Sequence, residues 1–196
     1  MLAILAAIPV AGIAQTSAGI AQPPDPLDWK GKLRFHAKAT YGPAAILGLA
    51  LYAGFLQETN SPREWGQGRA AYEERLGSAA GASGIHGALA FGLDTTLHQD
   101  PRYYRSDATG FWRRTGHALR GTILTRTDSG GETLSTWRIG SAYGASFLSN
   151  LWYPARVDNA HLGFAQGSIR LGFDLVGNLA SEFWPDIKRD VLRRKP

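Results

Sequence analysis

The chain has 196 residues, of which 44% are apolar and 19% are charged, with a formal net charge of +5. This composition excludes a disordered chain, and the length suits a single domain with a sizeable core. The chain contains no cysteine, which excludes disulfide bonds and thiolate zinc sites.

The N-terminal segment has the pattern of an export signal. Residues 2–13 (LAILAAIPVAGI) are small and apolar, about the length of a signal-peptide core. Two short runs of small residues, each ending in Gly-Ile-Ala, resemble signal-peptidase cleavage sites and predict cleavage after Ala14 or Ala21. A buried N-terminal helix is the alternative interpretation. Export is favoured because a Pro-rich stretch follows instead of a second helix.

We therefore divide the chain into three parts. Residues 1–21 form the signal peptide and its exit region, and residues 22–27 form a Pro-rich linker. Residues 28–196 form one helical domain. The predicted location is the periplasm or the cell envelope, with or without attachment to a membrane.

The domain is predicted to be mainly helical. The helices are expected over about 28–57, interrupted at Gly42-Pro43, then 61–98, 110–124, 136–152 and 159–183, with a basic tail helix over 186–194. Ser61-Pro62-Arg63-Glu64 has the pattern of an N-cap and capping box, and Trp184-Pro185 is a predicted helix end. Between the third and fourth helices, two β-favouring segments flank the turn Asp128-Ser-Gly-Gly131, which predicts a short hairpin or a loop resembling one.

Small residues recur at helical spacing. Glycine inside a helix costs about 0.5–1 kcal/mol relative to alanine, so such stripes indicate close helix packing that offsets the cost. The stripes are Ala80-Gly84-Ala88-Gly92, Gly140-Gly144 and Gly163-Gly167. The predicted fold is a compact bundle of about five helices with Gly/Ala/Ser seams and one hairpin. A membrane assembly of these helices stays open, although no segment offers the roughly 20 apolar residues of an ordinary span.

Arginine and aromatic residues are interleaved over residues 102–126, where six arginines stand against one acid. This mixture is typical of a surface that contacts anionic lipid headgroups, and it also occurs on ordinary solvated surfaces. Nucleic acid is not expected as a partner of an exported protein. The candidate lipid- or partner-binding residues are Arg102, Tyr103, Tyr104, Arg105, Trp112, Arg113 and Arg114.

Asp94, His98 and Asp100 are the candidate catalytic residues. Asp94 and His98 are four residues apart and would share a helix face, with Asp100 orienting the imidazole for a metal or for general-base catalysis. An Asp–His pair that stabilises the end of a helix explains the same residues. No metal-ligand motif, nucleotide-binding loop or nucleophile motif occurs, so no metal site and no cofactor are predicted. Arg170 and Asp174, also four residues apart, predict an ion pair.

Four segments carry a family resemblance: residues 60–68 (NSPREWGQG), 98–106 (HQDPRYYRS), 125–131 (TRTDSGG) and 182–187 (EFWPDI). With them, the chain resembles a family of uncharacterised exported bacterial envelope proteins over about 35–187. The resemblance implies export and a helical fold. It transfers no catalytic residue.

These observations predict a non-enzymatic envelope protein that binds lipid or a protein partner, with a homo-oligomer as one possible assembly. A small metal-dependent or hydrolytic enzyme built on Asp94, His98 and Asp100 is the first alternative. A membrane assembly of glycine-striped helices is the second.

Overall fold

The computed structural model describes residues 25–156 and 159–193, with side chains as far as Arg189. The predicted signal peptide and most of the linker lie outside the described residues. The described part contains the helices α1 Trp29–Tyr41, α2 Pro43–Glu58, α3 Arg69–Thr96, α4 Phe111–Ile123, α5 Thr136–Asn150 and α6 Ala160–Arg193, the strands β1 Leu124–Arg126 and β2 Glu132–Leu134, and a 3₁₀ turn, Arg63–Trp65. Counting α1 and α2 as one interrupted helix, the predicted bundle of five helices with one antiparallel hairpin is confirmed.

Gly42 and Pro43 separate α1 from α2 as the sequence predicts. Gly42 is extended (φ −65°, ψ 160°), and Pro43 occupies the first position of α2, where its missing N–H has no cost. At the other end of α1, the Asp28 carboxylate caps the helix by accepting a 2.7 Å hydrogen bond from the Gly31 N–H.

Helix α3 is the centre of the bundle, since α1, α2 and α5 all pack against it. The long helix α6 packs against α5 with its first half and against α4 with its second half. Its 34 residues extend about 50 Å at 1.5 Å per residue. Helix α4 is thus attached mainly to one end of α6, which leaves much of its surface outward.

The predicted start of α3 at Ser61 is wrong. The helix begins at Arg69, and the preceding segment forms the 3₁₀ turn and a loop. The cause lies in Arg75, which is fully buried and whose guanidinium donates to the carbonyl oxygens of Ser61, Pro62 and Gly66 at 2.9–3.1 Å. Those carbonyls face an arginine from the next helix instead of continuing an α-helical ladder.

The predicted helix end at Trp184-Pro185 is also wrong, because α6 continues through Pro185 to Arg193. Proline has no N–H to donate within a helix. The adjoining turn is supported from outside: Arg114 of α4 donates to the carbonyl oxygen of Glu182 and pairs with Asp186. Contacts with α4 therefore hold this part of α6 helical where local sequence predicts a break.

The predicted close packing at glycine occurs in α5 and α6. A Cβ built on Gly140 would lie 2.8 Å from a methyl carbon of Leu93, and a Cβ on Gly163 would lie 2.6 Å from the Phe147 ring. A Cβ on Gly167 would lie even closer to the Tyr143 ring. These glycines let side chains of the neighbouring helix approach the backbone directly.

The stripe on α3 behaves differently. Ala80, Ala88 and Gly92 are exposed, and nothing lies within 4 Å of a Cβ built on Gly92. Gly84 faces the Tyr41 hydroxyl at 3.1 Å. Close helix packing is therefore not found at three of its four positions, because α1, α2 and α5 contact the other sides of α3.

Burial in this bundle is inverted relative to a typical water-soluble domain. Among the described residues, the buried aliphatic and aromatic side chains are nine alanines, Leu56 and Trp137. The largest side chains that are fully buried are charged: Arg75, Lys32, Glu182 and Asp94. Meanwhile, 20 large apolar side chains of the described chain are exposed. The interior is small and polar, and much of the outer surface is apolar.

Candidate membrane-binding surface

Helix α4 presents an apolar outer stripe. Trp112, Gly116, Leu119 and Ile123 recur at spacings of three and four residues and so share one face of the helix. All four are exposed, and 80% of the Trp112 surface is accessible. We call these four residues the α4 stripe. From Trp112 to Ile123 it extends about 16 Å along the helix axis, at 1.5 Å per residue.

Two arginines line one side of the α4 stripe. Arg113 and Arg120 lie about a quarter-turn from its centre line, at 100° per residue, and both are exposed. Arg120 pairs with the exposed carboxylate of Glu132 on β2. Among the described residues, Arg113 has no carboxylate within 4.0 Å. An outward row of Trp, Leu and Ile beside cations is the pattern of a helix that lies in a membrane interface.

Polar contacts fix the opposite face of α4. Arg114 pairs with Glu182 and Asp186 of α6, and its guanidinium carbon lies 4.4 Å from the centroid of the Phe183 ring. At the penultimate residue of α4, the Thr122 hydroxyl accepts a 3.0 Å hydrogen bond from the Asn178 side-chain amide. The polar side of α4 is thus turned toward α6, which leaves the apolar side outward.

The Glu182 carboxylate binds several groups of α4 and of the segment that leads into it. This buried carboxylate accepts hydrogen bonds from the Tyr103 hydroxyl at 2.8 Å, from the Ser106 N–H at 3.1 Å and from Arg114 Nε at 3.2 Å. The pKa of Tyr103 is strongly raised, mainly by burial and then by its hydrogen bond to this carboxylate. The Tyr103 side chain is therefore a neutral hydrogen-bond donor inside the fold.

The Asp100 carboxylate is the centre of a second cluster of hydrogen bonds. Arg102 donates to both carboxylate oxygens of Asp100, and the Tyr104 hydroxyl donates at 2.7 Å. Burial raises the pKa of Asp100, but the hydrogen bonds from Arg102 and Tyr104 outweigh burial, so its pKa lies below the ordinary value. The Arg126 guanidinium stacks on the Tyr104 ring, 4.6 Å from its centroid.

The seven residues predicted to bind lipid or a partner thus divide into two groups. The inward group makes the contacts within the fold described above: Arg102, Tyr103, Tyr104 and Arg114. The exposed group is Arg105, Trp112 and Arg113. Leu119 and Ile123 belong to the surface but were missed, although their helical spacing from Trp112 was available in the sequence.

Asp94, His98 and Asp100 do not converge on one point. The buried Asp94 carboxylate lies 2.5 Å from His36 Nε2 of α1, and Asp100 is engaged by Arg102 and Tyr104. His98 lies beyond the end of α3 with its side chain 81% exposed, and its nearest acid is Asp128 at 3.7 Å. Each carboxylate has a different partner. In the described part of the chain, no group of three or more His, Cys, Asp or Glu side chains could hold a metal ion.

A polar cluster also lies between α3, α5 and α6. Asp174 forms an ion pair with Arg138 at 3.7 Å, while the predicted partner Arg170 acts on the same carboxyl electrostatically. Burial raises the pKa of Asp174 to about 6 despite both cations. His86 lies 3.2 Å from the Ser141 hydroxyl, and burial lowers the pKa of this histidine to about 3.

Comparison of the chain with family models, with characterised proteins and with solved structures finds no match.

Proposed function

We propose that this is a non-enzymatic protein of the cell envelope that attaches to an anionic membrane surface through the α4 stripe. The observation that carries the proposal is the outward position of Trp112, Leu119 and Ile123 on a helix whose opposite face is held by buried polar contacts. In water, these side chains would be expected to face the protein. In a membrane interface, the same orientation buries them among lipid headgroups and upper acyl chains.

Charge supports the choice of an anionic surface. Arg105, Arg113 and Lys188 are exposed in the segments before, within and beside α4. Each basic residue near an anionic membrane surface contributes about 1 kcal/mol of binding free energy. Tryptophan is common at the headgroup level because its ring is apolar while its N–H remains polar.

Export and the envelope location belong to the same proposal. One helical stretch of the described residues, Trp29–Glu58, is long and apolar enough to cross a membrane by length and composition. A core helix or a signal sequence passes the same test, but only 22% of its most apolar window is buried. This stretch is compatible with a membrane anchor close to the N-terminus.

Flotation with lipid vesicles tests the attachment. Purified protein should float with vesicles of phosphatidylcholine and phosphatidylglycerol, and much less with phosphatidylcholine alone. Trp112→Ala should weaken binding about tenfold, which corresponds to about 1.4 kcal/mol, and Arg113→Gln should weaken it about fivefold. The control is Phe164→Ala, which removes another exposed aromatic side chain, 58% accessible, near the opposite end of α6. Equal binding to both vesicle types, or equal losses for Trp112→Ala and Phe164→Ala, would contradict the proposal.

A second candidate function is an assembly of several copies through α3. The observation that favours it is the exposed small-residue surface of Ala80, Ala88 and Gly92, on which another helix could pack closely. Light scattering in detergent tests this candidate. A single mass equal to one chain, unchanged in Ala88→Leu, would exclude it.

A further inference from the structure

We propose that α1 and α2 form a second membrane contact, lying lengthwise in the interface of the same anionic bilayer. This inference rests on the proposed attachment of α4 to a membrane. It concerns a separate surface, made of the outward faces of two consecutive helices. We call it the α1–α2 face; its exposed residues are Lys30, Leu33, Arg34, Lys38, Ile46, Leu47 and Leu51.

The inner side of α1 is polar. Lys32, His36 and Thr40 recur every fourth residue and are buried against the bundle. Lys32 Nζ lies 2.7 Å from Asp128 of the hairpin, and His36 Nε2 lies 2.5 Å from Asp94 of α3. Because Lys32 and His36 meet carboxylates inside the protein, the orientation of α1 is determined by specific polar contacts.

The outer side of α2 is apolar. Ile46, Leu47 and Leu51 are each more than half exposed, whereas its buried positions are Ala45, Ala53 and Leu56. Larger side chains thus point outward and mostly smaller ones inward. No charged residue occurs in α2 before Glu58. An exposed face of this kind is suited to contact with acyl chains.

The two helices follow one line along the bundle. Thr40 of α1 faces Gly87 of α3, and the Tyr72 hydroxyl of α3 donates to the carbonyl oxygen of Ala50 in α2. As the chain proceeds through α1 and α2, its contacts with α3 move from Asp94 through Gly87 to Tyr72, towards the start of that helix. The outward faces of α1 and α2 therefore form one continuous surface.

The cations of α1 identify an anionic lipid surface as the occupant and favour a lengthwise orientation. Lys30, Arg34 and Lys38 are exposed, and α1 contains no acidic residue. They are spread over about 12 Å of helix axis. A helix lying parallel to the membrane brings all three to the headgroup level together, whereas a helix perpendicular to it would spread them over depths about 12 Å apart.

The α1–α2 face begins close to the segment that leads into α4. Arg102 Nη2 donates a 2.9 Å hydrogen bond to the carbonyl oxygen of Asp25, four residues before α1. The two proposed membrane contacts are thus joined through one arginine.

Single cysteines in this cysteine-free chain test the inference. Leu33→Cys, Leu47→Cys and Leu51→Cys, each labelled with an environment-sensitive fluorophore, are mixed with phosphatidylglycerol–phosphatidylcholine vesicles containing lipid quenchers at known depths. Leu119→Cys on the α4 stripe is the reference for attachment. Glu73→Cys, on the exposed start of α3, is the control. Far-UV circular dichroism of each labelled protein verifies the fold.

We expect a blue shift and quenching at all three α1–α2 positions, with similar shallow depths, and no change at Glu73→Cys. Signal at Leu119→Cys alone overturns the inference and leaves the attachment through α4 intact. Signal at none of these positions overturns both. A shallow label at Leu33→Cys with a much deeper one at Leu51→Cys overturns the lengthwise orientation, because α2 would then enter the bilayer end-on.

Discussion

The Glu182 carboxylate on α6 accepts a 2.8 Å hydrogen bond from the hydroxyl of Tyr103, which lies 79 residues earlier in the chain. This contact decides which side of the 102–126 region faces out. It draws Tyr103 inward while Arg114 from α4 reaches the same carboxylate. Trp112, two residues before Arg114, is left on the outside of the helix.

Loss of this carboxylate should destabilise the fold. Glu182→Ala removes one partner of a buried ion pair, which typically costs about 3–5 kcal/mol. We expect the lower end, about 3 kcal/mol, because Asp186 still neutralises Arg114. Urea denaturation measures the change. Glu132→Ala, which breaks the exposed pair with Arg120, is the control and should melt like the wild type; an equal loss in both variants would contradict the role of burial.

Arg75 should be essential for the loop before α3. Arg75→Met leaves the carbonyl oxygens of Ser61, Pro62 and Gly66 without their donor, and we expect a loss of about 3 kcal/mol. Arg69→Met is the matched control on the same helix, since Arg69 is exposed and pairs with the exposed Glu73 one turn along. Thermal melts compare the two. A stable Arg75→Met protein would show that the loop is held by other contacts.

Two glycines of α6 should respond to alanine with opposite signs. Gly167→Ala places a methyl group against the Tyr143 ring and should cost about 1–3 kcal/mol. Gly172→Ala meets nothing within 4 Å and should gain about 0.5–1 kcal/mol, because alanine is the better helix former. Chemical denaturation of both variants measures the difference. Equal effects would mean that the α5–α6 contact is looser than described.

The pH dependence of stability should change when His86 is replaced. Burial, then Arg170, His36 and Arg138 in that order, lowers the pKa of His86 from 6.5 to about 3. Between these values the unfolded chain binds a proton that the native state does not, so this contribution to stability is lost as the pH falls. Asp174 acts in the opposite sense. Its pKa is raised from 3.8 to about 6, so its contribution is lost as the pH rises through 6.

His86→Gln removes the pH-dependent contribution of His86 to stability and leaves that of Asp174. Between pH 4 and 6, the stability of the wild type should therefore increase relative to that of the variant, by up to about 1.4 kcal/mol per pH unit for one proton. Urea titrations at pH 4, 5 and 6 give the comparison. A difference that does not change with pH would show that His86 titrates normally in the native protein.

The sequence was sufficient to predict the helices whose ends are local. The break at Gly42-Pro43 and the hairpin around Asp128 follow from the conformational preferences of their own residues, and both are confirmed. The start of α3 and the passage of α6 through Pro185 were not predictable, since each depends on an arginine outside the segment concerned: Arg75, inside α3, and Arg114, in α4. Local patterns cannot report the carbonyl groups that Arg75 and Arg114 bind.

For the site, the sequence indicated the correct region but not which of its side chains face the protein interior and which face outward. Interleaved arginine and aromatic residues gave no sign that Tyr103 would bind Glu182 while Trp112 stayed exposed. Separating them requires the position of α6, which is remote in sequence. The four segments that carry the family resemblance include Arg63, Tyr104, Asp128 and Glu182. The last three make contacts within the fold, which supports a structural role for those segments; membership of that family and export stay predictions.

The location of the native protein in cells tests the central claim most directly. Cells that express the protein at its natural level are broken, and the membrane pellet is separated from the soluble fraction and probed with an antibody. We predict that the protein is found in the membrane pellet, that Trp112→Ala with Arg113→Gln moves a large part of it to the soluble fraction, and that Phe164→Ala does not. Recovery of the wild-type protein in the soluble fraction, or of all variants equally in the pellet, would contradict attachment through the α4 stripe.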